Sequence, residues 1–451
     1  AAVLSSQMSS APQLGQLYAR MEPPSSPQSS LRPEVSHSPP VEGAGRPSSD
    51  CPAAAALALT LSLAGCGQDT AGTTPIPLPE GVPADIIQET AGISRDTVLL
   101  TVDGAQVTAE ELLYWVASFA DQYASWGMSD LSLDMGDGQT LGEYYLESAI
   151  QAATLYHVVE NHAQELELGW SQDNQTAYEQ DVAATKESVA QQAGLDPETE
   201  TAAVDTEYIR LLSYMGLTED GFFQVNRPIY LYRNLLEGLY GTQGAEPPDA
   251  QRMADAGILH AKHILIRANP VTAEDGTVTD DGMAAALTEA QGLYDQLMAS
   301  SDPAALFDTL MAEHTDDVDS YGNVNGGAEG YTFGPGEMVD EFYNGAAALA
   351  EGAISAPIQS TYGYHIILRL PTDNEAGYTK YAQVRLDQQV DQWLSGVQVE
   401  RTEALESLDL PGFYTNLGTV RAAISAAAQD SQAPAGTAAP EESAPSATPA
   451  A

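Results

Sequence analysis

The sequence predicts a mixed helix–strand protein in which a mostly helical region precedes a compact domain of class α/β or α+β. Between about residues 84 and 250, apolar residues recur near helical spacing behind Ser and Thr start signals. From Gly257 onward, short β-prone runs alternate with amphipathic segments, a pattern that builds a layered domain. A chain of 451 residues that is 43% hydrophobic can bury two or three such cores.

Taken in order, Thr97–Val102 is β-prone and runs into a turn at Asp103-Gly104. Thr108 with Glu111 is a capping-box signature before Leu112, Leu113, Trp115, Val116 and Phe119, and Thr140 with Glu143 repeats it ahead of a long helix to about Leu168. Further helices are expected over 172–193, 204–215 and 219–240, and Pro247-Pro248 closes this region. Ile258–Arg267 then reads as a strand, Asp281–Met298 as a helix, and Pro303–His314 as a helix with proline in its first turn. A glycine-rich loop, a short strand near Tyr331, a helix from about Met338 and a strand over 363–370 complete the compact domain. Tyr378 to about Leu405 reads as helix, packing back on the first region. From about Ser425 the Ala/Pro/Ser/Glu composition predicts a disordered tail. The expected boundaries are thus 84–250, 257–372, 376–424 and 425–451.

Charge narrows the function. The formal net charge is −48, and Lys occurs only at 186, 262 and 380, so no basic surface exists to neutralise phosphates and nucleic acid is excluded as a partner. A phosphopeptide ligand is disfavoured for the same reason. Neither H-E-x-x-H nor G-x-S-x-G occurs, which argues against a zinc protease and a serine hydrolase. His260 and His263 lie three apart in a strand and point to opposite faces, so they cannot share a metal ion.

Both cysteines, Cys51 and Cys66, flank one short apolar run, Ala53–Ala64, which is too short to span a bilayer and suits the h-region of a signal peptide. It ends in Leu63-Ala64-Gly65-Cys66, which resembles the lipobox of bacterial lipoproteins. That resemblance implies lipidation at Cys66, residues 1–65 as an upstream extension plus signal peptide, and 66–83 as a Thr/Pro/Gly-rich spacer from the membrane. The basic n-region is reduced to Arg46, and residues 1–50 read as upstream read-through from a mis-assigned start. Four acidic residues and three Arg precede Cys66, so the charge beyond it is still −47 and the acidity belongs to the exported part.

Seven His occur, and two of them, His263 and His365, head β-prone runs (AKHILIR and GYHIILRL). Between these lie FDTLMAEHTDD (307–317), Gly326-Gly327, GEMVDEF (336–342) and GAISAP (352–357). In this order and spacing, residues from about Leu259 to Leu370 resemble a parvulin-type peptidyl-prolyl cis/trans isomerase domain. With the lipobox and helical segments on both sides, the whole resembles the PrsA/SurA-type foldases that bacteria export.

The resemblance implies an α+β fold: a helical, chaperone-like domain plus a four-stranded, largely antiparallel sheet with surrounding helices. It implies that His263 and His365 lie back to back on central strands with Asp317 in their hydrogen-bond network, and that His263, Asp317 and His365 together are the catalytic residues. Met338 and Phe342, four apart on one helix face, would hold the proline ring, and Tyr362 and Glu329 would line the substrate groove. Glu329 stands where the family usually has an apolar leucine, and the segment after Arg267 is acidic where phosphate-directed relatives are basic. The expected function is an extracytoplasmic, lipid-anchored prolyl isomerase and folding factor for exported proteins containing X-Pro bonds. It needs no metal or cofactor, because rotation about an amide breaks no bond. The rival reading, favoured by Glu329, is a holdase chaperone that uses the domain only to bind proline.

Overall fold

The computed structural model describes residues 77–432, apart from Asp137, Glu274 and Asp275. Cys66, the apolar run before it and the tail beyond 432 lie outside the described residues. The first region comprises α1 (Ile86–Ala91), β1 (Val98–Val102), β2 (Ala105–Thr108), α2 (Ala109–Tyr123), α3 (Leu141–Glu165), α4 (Gln172–Ala193), α5 (Thr201–Met215), α6 (Glu219–Leu235) and α7 (Ala250–Asp255). Next come β3 (Leu259–Arg267), the hairpin β4 (Val271–Thr272) and β5 (Val278–Asp280), α8 (Met283–Ala299), α9 (Pro303–His314), β6 (Tyr331–Phe333), α10 (Asp340–Ala347), β7 (Ile358–Ser360) and β8 (Gly363–Leu370). The chain finishes with α11 (Glu375–Leu394), β9 (Val399–Arg401), α12 (Glu403–Glu406) and α13 (Leu410–Gln432).

Local chemistry sets several ends. Thr140 and Glu143 satisfy each other's backbone N–H in a reciprocal box at the start of α3. At α2 only half of the expected box forms. Thr108 accepts from Glu111 N, but the Glu111 carboxylate turns away to His157 of α3, 3.1 Å off, where it makes a charge-assisted hydrogen bond in place of the second half of the box. Pro303 occupies the first turn of α9, and the Asp302 side chain caps it by accepting from Ala305 N.

Three sequence expectations need correction. The helix expected from Tyr378 to Leu405 stops at Leu394, and β9 follows, pairing antiparallel with β1. Gly396 releases the helix, and the alternating Val397 and Val399 suit a strand better. The segment expected to be disordered from residue 425 is helical as far as Gln432, since α13 runs through Ala426-Ala427-Ala428, the strongest helix formers available. Finally, α10 begins at Asp340, not Met338. Val339 is extended at its N-cap, so Met338 lies in the bend before the helix and does not share a helix face with Phe342.

One large core unites residues before and after the compact domain. Tyr381, Leu386 and Val390 of α11, and Phe413, Leu417 and Ile424 of α13, are buried together with Leu112, Trp115, Tyr156 and Leu235. Burying each such side chain fully is worth about 1.5–3 kcal/mol, so the returning helices are integral to that core. The compact domain is therefore an insertion in a helical host. Its sheet has the order β6-β3-β8-β7, antiparallel throughout. Helices α8 and α9 cover one face, packing Leu293, Leu297, Phe307 and Met311 against Ile264, Ile266, Ile366 and Leu368. On the other face α10 lays Phe342 and Ala346 over Ala261, Phe333 and Ile367.

Candidate active site

In the β3–β8 pair His263 faces Ile367 and Leu265 faces His365. Side chains alternate along a strand, so residues 261, 263 and 265 share a face with 365 and 367. The two histidines are thus diagonal neighbours on the α10 face, close enough for their rings to touch.

They do touch. Nδ1 of His263 lies 2.9 Å from Nδ1 of His365, with the rings 10° from parallel and meeting edge to edge. The remaining nitrogens are also engaged. His263 Nε2 lies 2.8 Å from Asp317 Oδ2, and His365 Nε2 lies 2.7 Å from Ser360 Oγ. The Tyr362 backbone N–H donates to that same Ser360 oxygen at 3.1 Å. Asp317 accepts two more hydrogen bonds, from Asn325 Nδ2 to Oδ1 at 2.9 Å and from the Tyr331 hydroxyl to Oδ2 at 2.7 Å.

With both rings neutral, the donor inventory admits one arrangement. A carboxylate only accepts, so His263 carries its proton on Nε2 and presents a bare Nδ1. His365 therefore donates from Nδ1, and its bare Nε2 accepts from the Ser360 hydroxyl. All protons in this chain point from Tyr362 toward Asp317.

The surroundings supply the neutral His365 and the ionised Asp317 that this order uses. Burial, followed by the neighbouring His263, pushes the His365 imidazole down to about 3, so this ring is neutral at physiological pH. Burial of Asp317 favours its acid form, but hydrogen bonds from His263, Asn325 and Tyr331 together outweigh it and hold the carboxyl far below its ordinary range. Burial and then the bond to Asp317 push the Tyr331 phenol up.

The other expected site residues surround this network. Phe342 is 3% exposed and packs edge-on against both rings, 5.0 Å from His263 and 5.5 Å from His365 between centroids. Met338 is half-buried on the same apolar cluster and forms a more open wall. Tyr362 is 54% exposed in the β7–β8 turn, and its carbonyl accepts from Ala268 N at the base of the β4–β5 hairpin. Glu329 is exposed, and its carbonyl lies 2.7 Å from Nε2 of His260. The His260 Nδ1 lies 2.7 Å from the Pro371 carbonyl, so His260 faces away from the His263 pair.

Sequence reasoning missed Ser360, Asn325 and Tyr331. Their partners are near in sequence, five, eight and 14 positions away, and that was the available signal: each is a polar side chain close to the motifs that carry His365 and Asp317. Ser360 donates to His365 as a serine nucleophile would to its base, but it is buried and the His365 imidazole, held down to about 3, is too weak a base to take its proton. What it offers is a fixed, dry set of dipoles and one negative charge beside an apolar wall, suited to stabilising a distorted polar group rather than attacking it.

Comparison with known proteins bears on the same segment. The family described as "Rotamase: PPIC-type PPIASE domain" matches residues 263–370. The chain is 33% identical over 108 residues to the chaperone SurA of Thiobacillus denitrificans, covering 24% of this chain and 21% of that one. It is 26% identical over 238 residues to the foldase protein PrsA of Halalkalibacterium halodurans, covering 53% and 61%. It thus spans less than two thirds of either relative's length. Among solved structures it is similar to a peptidylprolyl isomerase (PrsA) from Bacillus anthracis, with TM-score 0.25, 18% identity, and 55% and 94% of the two chains covered.

Proposed function

We propose that this chain, which carries a parvulin-type peptidyl-prolyl isomerase domain over residues 263–370, is an extracytoplasmic prolyl isomerase and folding factor for exported proteins. The observation that carries the reading is the edge-to-edge pair His263–His365, anchored by Asp317 and Ser360 beneath the wall of Met338 and Phe342.

Rotation about an X-Pro bond faces a barrier of roughly 18–20 kcal/mol, because twisting removes amide resonance. A catalyst needs only to bind the twisted amide better than the planar one. In this reading the apolar wall holds the proline ring, with Met338 as the accessible element and Phe342 as the buried one. The His pair fixes the geometry of the floor, and the Asp317 charge polarises the groove next to the amide. Tyr362 and Glu329 stand at the rim, where residues flanking proline would pass. The helical host would hold unfolded segments near the site. Acceleration matters biologically because uncatalysed isomerisation takes tens to hundreds of seconds.

Attachment to a membrane through a lipid on Cys66 is part of the proposal and rests on the Leu63–Cys66 motif. Mass spectrometry of the membrane fraction should find a diacylglyceryl group on Cys66 and none in Cys66→Ser.

The isomerase is tested by exchange NMR on a short X-Pro peptide. Cross-peak build-up between cis and trans forms should accelerate with catalytic amounts of protein, and Met338→Ala should weaken peptide binding. Absence of acceleration, with aggregation of an unfolded client still suppressed, would leave a proline-binding holdase as the better account.

A further inference from the structure

The tie between Asp317 and His263 does not by itself explain why the carboxyl stays ionised. The side chain is largely buried, and burial favours the neutral acid. The hydrogen bond from His263 offsets this first, and two further donors add to it, both from the segment that follows α9. Asn325 reaches Oδ1, and its own backbone N–H donates to the Asp317 carbonyl at 3.0 Å, folding the loop back on itself. Tyr331, the first residue of β6, reaches Oδ2, the same oxygen that accepts from His263.

The Tyr331 ring is seated for this. Gly326 has φ +70°, and a Cβ placed there would come within 3.1 Å of two Tyr331 ring carbons, so the loop leaves the room that a larger residue would take. The ring packs edge-on to His263 with centroids 5.9 Å apart. Its hydroxyl proton is committed to a carboxylate, so Tyr331 has none to offer a substrate.

We propose that Tyr331 is a positioning residue of the site: through Asp317 its hydroxyl keeps a carboxylate charge, and with it the Nε2–H form of His263, in place under the groove. The proposal rests on the isomerase reading for its consequence in rate, but not for its consequence in protonation. Asn325 acts as the second donor to the same carboxylate. The loop between Val318 and Gly330 is thereby coupled to the proton order of the histidine pair.

The test uses the whole chain with Tyr331→Phe, which keeps the packed ring, and the double variant Tyr331→Phe/Asn325→Ala. Carbon-13 NMR of the Asp317 carboxyl and nitrogen-15 NMR of both imidazoles are recorded against pH, with peptide exchange rates alongside. In the wild type the carboxyl midpoint should lie well below the ordinary carboxylate range. In the double variant its midpoint should rise by about two to four pH units, the change expected for losing two hydrogen bonds to a charge. In the single variant the His263 Nε2–H resonance should move, because Oδ2 loses its competing donor, and kcat should fall about fivefold or more at constant KM. If Tyr331→Phe leaves the imidazole resonances and kcat unchanged, or the double variant leaves the carboxyl midpoint unchanged, the proposal is wrong. If the wild type does not accelerate exchange, the isomerase reading fails, while the carboxyl and imidazole titrations still decide the role of Tyr331.

Discussion

Asp317 and His365 end up in opposite relations to burial. The carboxyl is ionised because three donors oppose the cost of burying a charge, whereas the imidazole is neutral because burial and the neighbouring His263 outweigh the pull of the Asp317 charge. Replacing Asp317 by Asn keeps the shape, removes the charge and allows an amide N–H to face His263 Nε2–H. We expect a loss of about 1–3 kcal/mol in transition-state stabilisation, read as a roughly 5- to 150-fold drop in kcat/KM with an unchanged circular dichroism spectrum. His365 makes a prediction about pH. Its folded value of about 3 lies below the unfolded value of about 6.5, so the unfolded chain binds the proton first as pH falls. The stability that depends on a neutral His365 is complete above about pH 6.5 and is lost progressively toward pH 3, with a slope approaching 1.4 kcal/mol per pH unit. Asp317, whose folded value is also depressed, adds loss in the same direction at lower pH, below about 3.9. Urea denaturation across this range should show a steeper acid decline for the wild type than for His365→Gln; equal slopes would contradict the assignment.

At the scale of elements, the site depends on how closely β3 and β8 can approach. Gly363, which starts β8, has φ +139°, and a Cβ there would fall 2.1 Å from the Ile266 carbonyl oxygen. Gly363→Ala must therefore part the two strands that hold His263 and His365. A loss of about 1–3 kcal/mol for the backbone conformation alone is expected, with more from the clash, measurable as a lowered urea midpoint. The limits of what could be read from sequence also fall at this scale. The strands β3 and β8 and the helices α4 and α9 were legible because period-2 and period-3.6 patterns and their caps are local. The pairing of β9 with β1 was not, since it joins residues some 300 positions apart and the strand is only three exposed residues long, too short for its pattern to name a partner. The start of α10 was misread because Met338 continues the apolar spacing while the Pro335-Gly336 turn and an extended Val339 decide where the helix begins. In the site, His263, His365 and Asp317 were visible through their motifs. Ser360, Asn325 and Tyr331 were not, because a hydrogen-bond partner is a fact of three dimensions.

For the whole molecule, the telling geometry is where the chain enters and leaves the inserted domain. His260 at the start of β3 faces Leu370 at the end of β8 on adjacent antiparallel strands, so the two crossings lie about 5 Å apart. The helical host should then tolerate removal of residues 259–370 in favour of a short Gly/Ser linker. Excision would break the ion pair between Lys380 of α11 and Glu337, and the hydrogen bond from the Tyr343 hydroxyl to the Gly257 carbonyl. We expect the excised protein to keep its helical circular dichroism and a cooperative melt while losing all isomerase activity; a non-cooperative melt would show that the insert supports the host core. The same layout has a consequence in time. During synthesis the insert emerges complete before α11 and α13 do, whereas the host core cannot close without Leu386, Phe413 and Leu417 from those helices. A half-made chain thus presents a finished sheet carried by an unfinished bundle, and the host closes last, around a domain that is already in shape.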